Sequence, residues 1–168
     1  GLLPSDGSPG SNGSGSALYI SGSSSHLVHT TIARNTGAGG SAISITDDGM
    51  GEFSTVAMTD TILVGHTTGI TVADGSAASC QATLWGNETD WDGAGTIVTG
   101  AINHWGDPAF PDPDAGDYHL GLGSAAINAG VDAGIPTDID GEARPAGLGT
   151  DIGADEFYGP ALAVVKRA

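Results

Sequence analysis

At 168 residues the chain can build one domain with a continuous core, but 5% aromatic content, 14% charged content and 29 glycines argue against long helices and a core of large side chains. Twenty Asp and Glu against four Lys and Arg leave a formal net charge of −16, which disfavours nucleic acid and anionic lipid as partners and attracts divalent cations. Cys80 stands alone, so the chain closes no disulfide of its own, and no apolar run approaches the roughly 20 residues of a membrane span.

Residues 1–15 form a Gly/Ser-rich segment of linker composition, and a start at Gly1-Leu2-Leu3-Pro4, without Met, reads as cut from something longer. Residues 16–99 carry short runs rich in β-branched residues, separated by Gly, Ser or Asp clusters, which is the pattern of successive strands. These runs repeat. Ser16-Ala17-Leu18-Tyr19-Ile20 returns as Ser41-Ala42-Ile43-Ser44-Ile45 and, loosely, as Thr68-Gly69-Ile70-Thr71-Val72. An apolar residue followed three later by Asn or His returns at Asn35, His66 and Asn87. Side chains of that kind can bond one another from turn to turn, so these three are expected to mark a turn shared by stacked coils. An imperfect repeat of about 20–30 residues made of short strands predicts an all-β solenoid.

Residues 100–159 change texture, with Pro, Gly and Asp in place of β-branched runs. All three Trp and two of three Tyr fall within residues 85–158. The expectation is a C-terminal cap whose bulky residues cover the last coil. Residues 160–168 are separate: Leu162, Val164 and Val165 give an apolar strand, expected to pair in assembly as a donor strand, and the segment resembles the first strand of immunoglobulin-like repeats, which implies the start of such a domain.

Residues 106–157 carry a resemblance. Asp117-Tyr118-His119-Leu120, Gly123-Ser124-Ala125-Ala126, Asp138-Ile139-Asp140-Gly141 with Arg144-Pro145, and Asp151-Ile152-Gly153-Ala154-Asp155-Glu156 resemble the C-terminal region of secreted bacterial β-helix repeat proteins of the choice-of-anchor Q type, with a pectate-lyase-like fold. The resemblance implies a right-handed parallel β-helix, secretion and cell-surface display, and it implies no reaction. Asn128 departs from it, standing where that family carries Asp.

The candidate chemistry is sparse. Asp47 and Asp48 with His66 are the weak catalytic candidates, being the paired carboxylates and nearby His a polysaccharide hydrolase on such a fold would use. Asp47-Asp48-Gly49 is equally an ordinary turn. Two acidic groups are candidate Ca²⁺ ligands: Asp138, Asp140 and Glu142 before and after a Gly turn, and Asp112, Asp114 and Asp117. Asp140 with Arg144 reads alternatively as an ion pair. No other cofactor is expected. These features lead to a non-catalytic extracellular structural or adhesive module, a subunit of a filament or array assembled by strand addition. Its expected partners are copies of itself or other cell-surface proteins. The alternative is a polysaccharide-binding or polysaccharide-degrading fragment.

Overall fold

The computed structural model describes residues 15–35 and 41–159, and these contain nine strands and no helix. The strands are β1 (Gly15–Ser21), β2 (Ser24–Ala33), β3 (Ser41–Thr46), β4 (Thr55–Val64), β5 (Thr68–Val72), β6 (Ala77–Gly86), β7 (Thr89–Asp92), β8 (Thr96–Thr99) and β9 (Asn103–Trp105). Successive strands alternate between two sheets. One runs β1-β3-β5-β7; the other runs β2-β4-β6-β8, with β9 also on β6. Every pairing between named strands is parallel. The sequence repeat is the register: Leu18 lies opposite Ile43, and Ile43 opposite Ile70.

The even-numbered sheet bends along a line. β2 and β4 pair as far as Val28 opposite Thr59 and resume at Thr30 opposite Thr61, leaving His29 and Asp60 between. Both have left-handed backbones, with φ of 45° and 51°, as does Ala82 at the same place in β6. At the next level the bend widens into a break: β8 pairs the first half of β6 and β9 the second.

Two cores follow. Ile20, Ile43, Ile45, Ile70 and Val72 from one sheet pack against Val56, Met58, Leu63, Ala78, Cys80 and Trp85 from the other. Beyond the bend, the opposite face of the second sheet is apolar too, and Ile62, Val64, Ala82 and Leu84 pack against Leu120, Ala126 and Ile152 from the C-terminal half. A strand buried on both faces needs an unbroken apolar run, which is why Ile62-Leu63-Val64 does not alternate.

The expected right-handed β-helix solenoid with its terminal cap is therefore corrected. The described residues are all-β with two parallel sheets of four and five strands, a small domain and not a long coil stack. Residues 106–159 form no strand, only two isolated bridges, because five prolines and frequent Gly and Asp turns cannot sustain a ladder. That segment packs on the face of the second sheet. Of the aromatic residues expected to cover the last coil, Phe110 and Phe157 pack partly buried against this second core. Trp85 is buried between the sheets, whereas Trp105 on β9 is 60% exposed. The terminal residues Leu162, Val164 and Val165 lie outside the described residues.

Candidate functional site

The acidic residues of the C-terminal half are mostly engaged with backbone amides. Asp138 Oδ1 accepts the N–H groups of Asp140 and Glu142 at 3.0 and 2.8 Å, and its Oδ2 accepts that of Glu156 at 3.2 Å. Asp151 takes the N–H of Asn128 and of Phe157, each at 2.6 Å. Carboxylates that saturate themselves on amides fix turns, which a segment without strands requires. The two expected Ca²⁺ groups are accordingly divided. Asp138 closes its own turn, the Glu142 side chain is exposed, and Asp140 turns to His119 Nε2 at 2.8 Å. Asp112 bonds the Ala115 N–H, Asp114 pairs with Arg34 at 2.6 Å, and Asp117 holds His119 Nδ1 at 2.6 Å.

Arg144 does not pair with Asp140. It is buried beneath the segment, donating to Glu156 Oε2 at 2.9 Å and to the carbonyl oxygens of Asp151, Gly153 and Ala154 at 3.4, 3.0 and 2.6 Å. Glu156 also accepts the N–H groups of Ala146 and Asp151. Thus two ends of the resemblance motif, Arg144 and Glu156, meet in one buried knot.

A second buried group sits where that segment touches the bend. Asp60 Oδ1 accepts the Val131 N–H at 2.8 Å, and its backbone oxygen accepts that of Gly153 at 3.0 Å. Burial pushes the Asp60 carboxyl up to about 6 and holds the neighbouring His29 below its ordinary value. The His29 Nε2 and Asp60 Oδ2 atoms stand 3.5 Å apart without a formed hydrogen bond.

The weak catalytic candidates do not assemble into a site. Asp47 and Asp48 accept the N–H groups of Gly49, Met50 and Glu52, the bonds of a closed turn. His66 is buried in a ladder with the other two turn residues: its Nε2 lies 3.4 Å from Asn35 Nδ2 and its Nδ1 2.9 Å from Asn87 Oδ1. Burial lowers its pKa, so it stays neutral and structural.

A concave feature follows the outer edge of β2. A groove of about 460 Å³ is lined on one side by Ala17, Thr31, Ile32, Ala33 and Asn35, and on the other by Gly116, Tyr118, His119, Ile139, Ala154 and Asp155. Among the described strands β2 pairs only with β4. Arg34 donates its N–H to Val64 on that inner side, so alternation turns the backbone groups of Thr31 and Ala33 toward the groove.

At the groove's mouth His119 bridges Asp117 and Asp140, and those two hydrogen bonds raise its pKa to about 9. His119 stands in the sequence without a second histidine at ligand spacing. The useful signal was Asp117 two residues before it, a spacing that lets one carboxylate bond both the His119 N–H and its ring. Comparison with known proteins places no family model on this chain, and neither a curated protein nor a solved structure matches it.

Proposed function

We propose that this chain is a non-catalytic structural module of an extracellular or cell-surface assembly, and that it engages its partner by strand addition at the outer edge of β2. The observation that carries the reading is the edge of β2 at Thr31 and Ala33, unpaired among the described strands, running along an apolar-walled groove. An unpaired edge of this kind is a template for another strand, with main-chain bonds supplying affinity and flanking pockets selecting side chains. Ile32, Ala33, Tyr118 and Ile139 suit alternate small or branched apolar residues, the composition of Leu162 to Val165. The acidic surface favours a partner strand followed by basic residues, as Lys166-Arg167 follow here. The resemblance to secreted β-helix repeat proteins and the −16 charge support the extracellular placement. Asp47, Asp48 and His66 are engaged in turn and ladder bonds, and polysaccharide chemistry gains no comparable support from them.

The test is amide hydrogen exchange on the full chain as its concentration is raised, alongside sedimentation. Self-association with new protection at Thr31 and Ala33, abolished by Ala33→Pro, is the expected result. A chain that stays monomeric and unprotected at that edge at millimolar concentration refutes self-assembly by strand addition.

A further inference from the structure

We propose that His119, Asp140 and Asp155 form a binding site for a divalent transition-metal ion of the zinc type, at the mouth of the groove beside β2. One donor atom from each lies within 4.8 Å of the other two. The three arrive on separate segments, fixed by the turns at Asp117 and Asp138 and by the Leu120 N–H, which bonds Asp155 Oδ2 at 2.6 Å.

Ring orientation is the first argument. Asp117 Oδ1 holds His119 Nδ1 at 2.6 Å, and Nε2 faces Asp140. Histidines that ligate metals characteristically give their other ring nitrogen to a carboxylate, which fixes the ring and leaves the outward nitrogen for the ion. The second argument is independent of those bonds. Asp155 is only 6% exposed, yet it lines the groove, and its carboxylate accepts one hydrogen bond among the described residues, from the Leu120 N–H at Oδ2. A carboxylate largely withdrawn from water and facing the groove with a single amide donor is one that a bound cation would stabilise.

The donor set selects the ion. One imidazole nitrogen and two carboxylate oxygens match zinc, whereas Ca²⁺ wants about six to eight oxygens. Ligand bonds of about 2.0–2.2 Å bring tetrahedral donors to roughly 3.4 Å from one another, so the cluster must contract. Asp140 is 51% exposed in its side chain and can rotate toward the anchored Asp155 while Asp117 keeps its hold on the His119 ring. The fourth position opens on the groove. Arg34 is held on Asp114 at 2.6 Å.

The experiment is calorimetric titration of the chelator-treated full chain with zinc chloride, with calcium and magnesium chlorides as controls, and melting curves with and without zinc. One zinc per chain is expected, weakened at least about tenfold by His119→Ala and by the milder Asp140→Asn, and about tenfold by Asp117→Asn. Zinc should raise the melting temperature of the parent and not of His119→Ala. Absence of saturable zinc binding, zinc binding indifferent to Asp140→Asn and His119→Ala, or equal preference for calcium overturns the proposal. So does a metal-free loss of stability in these variants with zinc binding unchanged, which makes the cluster an ion pair only.

Discussion

Removing Arg144 tests whether the buried knot holds the C-terminal half on the sheet. The Arg144 and Glu156 side chains are 2% and 1% exposed, so Arg144→Ala leaves a carboxylate in the interior with its cation gone. Breaking such a pair from one side costs about 3–5 kcal/mol. The carbonyls of Asp151, Gly153 and Ala154 lose a donor as well, which moves the expectation toward the upper end. Against a total stability of about 5–15 kcal/mol for a domain, that is a large fraction. Urea unfolding followed by tryptophan fluorescence reads it directly: with a slope of about 2 kcal/mol per molar, the midpoint falls by about 2 M. Arg144→Met combined with Glu156→Leu removes both charges and should cost less than the two single losses added, with a remaining loss from the unpaired carbonyls and the Ala146 and Asp151 N–H groups. A loss under about 1 kcal/mol in Arg144→Ala, or a double variant as unstable as the two single losses added, refutes the reasoning.

Two further predictions concern the bend. The Asp60 carboxyl is raised to about 6 in the fold against about 3.9 unfolded, so the folded state binds more protons between these values and stability falls as pH rises from about 4 to 6. Asp60→Asn keeps an acceptor for the Val131 N–H and tolerates the left-handed backbone; it should stabilise the chain by about 1–3 kcal/mol at pH 8 and remove this pH dependence, and parallel melting profiles of variant and parent across pH 4–8 would contradict it. Gly153 has φ +105°, and a Cβ there would stand 2.6 Å from Ile62 Cδ1 and 2.9 Å from Thr31 Oγ1, so Gly153→Ala should cost about 2–4 kcal/mol in urea unfolding, well above Gly116→Ala, whose Cβ meets nothing.

The strands of the first half were legible because their signals are local. β-branched runs bounded by Gly and Asp gave β1 to β6, and recurrence of Ser16 to Ile20 at Ser41 to Ile45 anticipated a parallel register. The column of Asn35, His66 and Asn87 was readable for the same reason, since equivalent places in a repeat fall above one another. The site was less legible. Asp138, Asp140 and Glu142 look alike in the sequence, yet one closes a turn, one meets His119 and one stays exposed.

The sequence by itself determined an acidic, glycine-rich all-β chain whose short strands repeat, because composition and periodicity act on neighbouring residues. Only the tertiary structure decided that residues 106–159 lie across the second sheet, because that depends on Ile62, Val64 and Leu84 presenting a second apolar face to Leu120, Ala126 and Ile152. The partners of Asp60, Arg144 and His119 were likewise settled in three dimensions. Val131 lies 71 residues beyond Asp60 in the chain, Glu156 12 beyond Arg144 and Asp140 21 beyond His119. Nothing in local propensity specifies such pairings; they form when burial leaves each polar group only one place to satisfy its bonds.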